Sequence, residues 1–275
     1  MCRILFARGP GEKIGSLTEA FRKSAENDPY RARRSGKRQH ADGWGYVLLR
    51  NGVVYHYRSS KAVFEDGEGF SKLLGLLEGG EEAVLLAHAR ASSQGSLGLF
   101  NVQPFAFSTR RGFSFWFLHN GDLDKEKVIE LAGFDENDLR EVSDSYVFSA
   151  YLCRALERPE REELLRHYSR GVSLTRTTFN TATLFLLPDG SWKAFVTAYM
   201  MEEYWENPLH RDYARLIELD GEVFAVASST LELYHRADWK TISNGSAYLI
   251  DADKVERLSL GWWHGRERPD SGLHD

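Results

Sequence analysis

Cysteine is nearly missing from this 275-residue chain, which has Cys2 and Cys153 and no others. Two cysteines cannot build a disulfide framework, so a reducing cytoplasm is the expected setting. Proline is scarce, at 7 residues, while 42% of the chain is hydrophobic and 13% aromatic; that combination excludes a disordered chain. Neither sign of charge dominates. A net charge of −5 gives no reason to expect a nucleic-acid or membrane partner. Long apolar runs are missing too. The start, Met1 to Ala7, is interrupted by Arg3 and stopped at Arg8-Gly9-Pro10-Gly11, too short for a signal-peptide core or a membrane span. A P-loop, a dinucleotide fingerprint and a phosphosugar motif are absent. His40 and Asp42 lack a third ligand at diagnostic spacing, so neither a metal nor a cofactor is expected.

What is present reads as short strands with helical insertions. A buried strand is predicted over 2–7 and a helix over 16–26, followed by an exposed basic loop over 28–38. Asn51-Gly52 between two alternating runs is the strongest hairpin signal. Further helices are expected at 70–77, 125–132 and 143–154, with strands at 83–89 and 113–118. Beyond residue 180 strands dominate, at 183–187, 192–197, 213–219, 223–227 and 247–250. Without a linker or a repeat, this predicts one layered domain over 2–260 and a polar tail over 261–275.

Cys2 has the most unusual position. Small side chains at position two favour removal of Met1, which would leave a thiol and a free α-amine on one residue. An α-amine with a pKa of about 7.7–8.0 can take the thiol's proton and return it to a leaving amine. The alternative is a small buried hydrophobe that starts a strand. His119-Asn120-Gly121 is either a turn or an oxyanion hole, the Asn120 amide and the Gly121 N–H being the two donors. Arg90, at the end of an apolar strand, is either a surface residue or a bidentate grip for a carboxylate. Ser143 or Asp144 serves as a helix N-cap, and Asp144 is alternatively a partner for a substrate ammonium. Gly43 and Gly45 flanking Trp44 point to a tight backbone passage.

These pieces, in this order, resemble the class II (N-terminal cysteine) glutamine amidotransferases, a branch of the N-terminal nucleophile hydrolases, and in particular their short stand-alone members. The resemblance rests on Met1-Cys2-Arg3, His40-Ala41-Asp42-Gly43-Trp44-Gly45, Ala87-His88-Ala89-Arg90, Asn101-Val102-Gln103-Pro104-Phe105, His119-Asn120-Gly121 and Ser143-Asp144-Ser145. Gln103 departs from the family, which usually has histidine there. The resemblance implies an α+β fold, a four-layer αββα sandwich of two stacked, mainly antiparallel sheets flanked by helices. It implies Cys2 as nucleophile, Asn120 and Gly121 as oxyanion donors, Arg90 on the substrate carboxylate and Asp144 on its ammonium. Asn101 and His119 complete the expected substrate-binding set. The implied reaction is hydrolysis of the glutamine side-chain amide, with a separate synthase subunit as ammonia acceptor. The rivals are a hydrolase of another small γ-glutamyl compound and a catalytically silent subunit with the same fold.

Overall fold

The computed structural model describes residues 1–135, 139 and 141–261; apart from Gly261, the expected polar tail lies outside the described residues. The strands in chain order are β1 (Arg3–Pro10), β2 (Trp44–Arg50), β3 (Val53–Ser59), β4 (Glu82–Ala89), β5 (Phe105–Ser108), β6 (Ser114–Leu123), β7 (Thr175–Leu186), β8 (Trp192–Ala198), β9 (Leu216–Asp220), β10 (Phe224–Ser228), β11 (Lys240–Thr241), β12 (Ser246–Ile250) and β13 (Val255–Ser259). The helices are α1 (Gly11–Glu26), α2 (Pro29–Ser35), α3 (Gly67–Leu76), α4 (Lys125–Ala132), α5 (Asp144–Ala155), α6 (Arg161–Ser173), α7 (Glu202–Glu206) and α8 (Pro208–Ala214).

One sheet runs β11-β9-β10-β1-β4-β2-β3 and the other β13-β12-β8-β7-β6-β5, with antiparallel neighbours throughout. The two-residue period of a strand decides what each face meets. Ile4, Phe6, Val84 and Leu86 of the first sheet pack between the layers with Leu118, Ala182, Leu184 and Val196 of the second. Leu5, Ala7, Leu85 and Ala87 face outward under α1 and α3, and Phe115, Phe117 and Phe185 face outward under α4, α5 and α6. The result is the expected four-layer αββα sandwich. No helix among the described residues is long and apolar enough to cross a membrane.

Helix α1 follows the expected spacing, with Ile14, Leu17, Phe21 and Ala25 buried in one stripe. Two expectations are corrected. The basic stretch 28–38 is not a plain loop: Asp28 is fully buried and caps α2, its carboxylate accepting from the Arg31 N–H, with Pro29 in the first turn. Asn120-Gly121 is not a turn either. Strand β6 runs on through Leu123, with Asn120 paired to Asn180 and Gly121 to Phe179. The hairpin at Asn51-Gly52 is as expected, both residues adopting positive φ, 51° and 73°.

Candidate active site

Cys2 immediately precedes β1, at the centre of the first sheet, and faces the inner side of the sandwich with Ile4 and Phe6. Its neighbour β4 pairs Arg3 with Ala89 and Ile4 with His88, so the chain beyond Ala89 passes alongside the sulfur. The Ala91 N–H donates to Cys2 Sγ at 3.3 Å. From the opposite sheet, Asn120 Oδ1 accepts the Cys2 backbone N–H at 2.6 Å. That bond fixes the amide's orientation and turns Nδ2 away. Nδ2 is buried with no hydrogen-bond partner among the described residues, an arrangement that normally costs about 1–3 kcal/mol. Thr178 Oγ1 donates to the Asn120 carbonyl at 2.7 Å, fixing the backbone from the β7 side. Burial pushes the Cys2 thiol above its ordinary value, opposed first by the charge of the chain's N-terminal ammonium and then by the Ala91 N–H and the Arg90 charge.

The backbone next to Asn120 explains the glycine. A Cβ on Gly121 would lie 1.8 Å from the Thr178 carbonyl oxygen, so no other residue fits without moving β7. Two N–H groups on the side of β6 away from β7 are held by side chains: His119 N–H by Gln103 Oε1 at 2.6 Å and Leu123 N–H by Asp144 Oδ2 at 2.6 Å. Strand alternation directs the Gly121 N–H to that same side, between them.

Arg90 continues the inner face of β4 and is 3% exposed. Its Nη2 donates to Ser92 Oγ, the Gln94 carbonyl and the Ser96 carbonyl at 3.0–3.2 Å, which curls the following loop around it. Nη1 is buried without a partner among the described residues. The Asp42–Gly43 segment is zipped to the same place: Arg90 N–H donates to the Gly43 carbonyl, and Ser92 N–H to Asp42 Oδ2. The tight passage expected here is real. A Cβ on Gly43 would meet Val102 Cγ2 at 2.6 Å, and one on Gly45 the Gln103 carbonyl at 2.5 Å.

The remaining expected residues frame this centre. Asn101 Oδ1 accepts the Ser143 N–H, and its Nδ2 donates to the Ser96 and Glu141 carbonyls, tying the Arg90 loop to the start of α5. Asp144, at the first turn of α5, accepts from Leu123 N–H and from the Ser145 hydroxyl; its burial pushes the carboxyl above the usual range. Ser143 is the N-cap, as expected. The His119 ring lies on the face of β6 opposite Asn120, with Nδ1 against Ser145 Oγ and Nε2 against the Thr178 carbonyl. Cys2, Asn120, Gly121 and Arg90 are therefore brought together, whereas Asn101, Asp144 and His119 hold the surrounding backbone through the contacts they make.

Other residues of the site, His88 and Gln103 among them, stand in the motifs quoted above with no contact assigned to them, and Asp28 was missed. His88 shares the inner face with Cys2 and Arg90, fully buried; desolvation, aided by the Arg90 charge, lowers its pKa to about 3. Gln103, the departure from the family pattern, carries the His119 backbone. Behind the nucleophile, Arg3 donates through Nη1 to the Cys2 and Tyr213 carbonyls and through Nε to Asp28 Oδ2 at 2.7 Å. Asp28 also accepts from Thr230 Oγ1 and lies 2.8 Å from His40 Nε2. Although burial opposes it, Arg3 and His40 hold the Asp28 carboxyl well below its usual range. Desolvation lowers His40 to about 3. No group of three or more His, Cys, Asp or Glu side chains among the described residues could hold a metal ion.

No protein-family model matches the chain, and no curated protein matches it in sequence. Solved structures do. The allosteric regulatory enzyme of purine biosynthesis superposes with a TM-score of 0.60 at 15% identity over 95% of this chain and 49% of its own. Glutamine phosphoribosylpyrophosphate amidotransferase from B. subtilis gives 0.59 at 16%, over 94% and 49%. A glutamine aminotransferase class-II domain protein from Silicibacter pomeroyi gives 0.52 at 16%, over 94% and 100%. The chain spans about half the length of the first two. At these identities the likeness establishes the fold, that of class II glutamine amidotransferase domains.

Proposed function

We propose, starting from the fold this chain shares with class II glutamine amidotransferase domains, that it hydrolyses the side-chain amide of glutamine or of another γ-glutamyl compound. The observation that carries the reading is the contact across the sandwich, in which Asn120 binds the Cys2 nitrogen with one end of its amide and leaves the other end buried and unpartnered.

On this reading Met1 is removed in the mature protein and the Cys2 nitrogen becomes a free amine. The amine accepts the thiol proton, and Sγ attacks the γ-carbonyl carbon. Negative charge on the carbonyl oxygen is met by Asn120 Nδ2 and the Gly121 N–H. The C–N bond breaks as the amine passes its proton to the leaving nitrogen, giving a γ-glutamyl thioester. Water then adds to the thioester, with the amine as base, releasing glutamate and the thiol. Arg90 Nη1 is the donor offered to the substrate α-carboxylate, and Asp144 is the carboxylate near its ammonium. When glutamine is the substrate, the ammonia is available to a separate synthase subunit.

Cys2→Ala abolishes turnover, whereas Cys153→Ala, in an outer layer, leaves it intact; intact-mass measurement of the active protein finds Met1 missing. Activity that survives Cys2→Ala, or that resides in material retaining Met1, rejects the mechanism.

A further inference from the structure

Met1 has a built seat. Its half-buried side chain packs, as do Tyr30, Tyr204 and Trp205, against the buried cluster of Met200, Tyr213 and Ala214, with its Sδ 3.7 Å from Thr178 Oγ1; the rings of this wall come from α2, α7 and α8. The Tyr213 hydroxyl donates to the Met1 carbonyl at 2.6 Å. Arg34 lies over the Tyr213 ring at 5.2 Å and the Tyr204 ring at 5.9 Å, bringing positive charge to the rim.

This seat begins at the nitrogen of Cys2. In the mechanism above that same nitrogen hands a proton to the leaving amine, so the leaving nitrogen must come within hydrogen-bond reach of it. Any substituent on the leaving nitrogen then extends into the space Met1 vacates. Ammonia has no substituent and would leave an aromatic pocket empty. An apolar amino acid would fill it, its side chain among the rings and its carboxylate facing the Tyr213 hydroxyl and the Arg34 charge. Met1 is itself such an amino acid, seated there.

We infer that the Met1 seat becomes the leaving-group subsite, and that the substrates it selects are γ-glutamyl amides of apolar or aromatic amino acids rather than glutamine. The inference rests on the hydrolase reading above. The balance is unchanged: the S–C bond forms, the C–N bond to the amino acid breaks, the amino acid departs with the thiol's proton, and water releases glutamate.

The test compares kcat/KM for γ-glutamyl-methionine and γ-glutamyl-phenylalanine with that for L-glutamine, using the full chain with Met1 confirmed absent by mass. The dipeptides are favoured by roughly tenfold or more, the discrimination a hydrophobic pocket typically supplies. Trp205→Ala and Tyr204→Ala each lower the dipeptide-to-glutamine ratio by roughly tenfold, a readout that general damage to folding does not move. Glutamine preferred by the wild-type chain, or a ratio unchanged in both variants, overturns the subsite. Failure of every γ-glutamyl compound to turn over, together with failure of a diazoketone glutamine analogue to label Cys2, instead defeats the underlying hydrolase reading.

Discussion

Asn120 has two ends with different partners. Oδ1 is committed to the Cys2 nitrogen, so the amide cannot flip without losing that bond, and Nδ2 remains the end free to meet the oxyanion of the proposed reaction. Asn120→Ala is expected to lower kcat by about 10²–10³, the typical cost of one oxyanion donor, with a much smaller change in KM. An effect confined to KM would mean that the side chain binds ground-state substrate instead. Cys2 and Asn120-Gly121 were legible in sequence because each has a local signature, a position in one case and a dipeptide in the other. The contacts of Asp28, Gln103 and His88 were not. Their roles come from partners distant along the chain, such as Thr230, 202 residues from Asp28, or the His119 backbone, 16 residues from Gln103, and no local pattern encodes those meetings.

Among the elements, periodic ones were read well and those decided by tertiary contact were not. The stripe of α1 and the hairpin of β2 and β3 follow from spacing and turn chemistry. Strand β6 was expected to stop short because Asn-Gly favours turns, but pairing with β7 carries it through. The segment from Asp28 to Arg38 looked solvated because its arginines dominate the composition, yet its first residue is a buried anion. A surface loop would tolerate Asp28→Ala within about 0.5 kcal/mol. The buried Arg3–Asp28 pair and the α2 cap predict instead a loss of about 3–5 kcal/mol, measured by urea denaturation. Because Arg3 also holds the Cys2 carbonyl, kcat of the folded fraction should fall as well.

For the molecule as a whole, the buried histidines set an acid limit on stability. His40 and His88 both have folded pKa values of about 3, below the ordinary value near 6.5. The unfolded chain therefore binds protons between pH 6.5 and 3 that the folded chain does not. Their contribution is fully present above pH 6.5 and is lost as pH falls toward 3, at up to about 1.4 kcal/mol per pH unit for a buried histidine. Urea midpoints should hold between pH 7.5 and 6.5 and fall steadily from there to pH 4.5, and His88→Gln should make that fall shallower. A profile already flat in the wild-type chain would show that both histidines reach water.

The bond from Cys2 to Asn120 joins strands that belong to different sheets. Neither layer, formed by itself, brings a sulfur beside a donor for a developing oxyanion. If Cys2 is the nucleophile proposed above, a nascent or partly unfolded chain therefore carries an ordinary thiol with no machinery around it, and docking of the two layers is what switches its reactivity on. On the proposed reading, assembly of the sandwich acts as a safety catch.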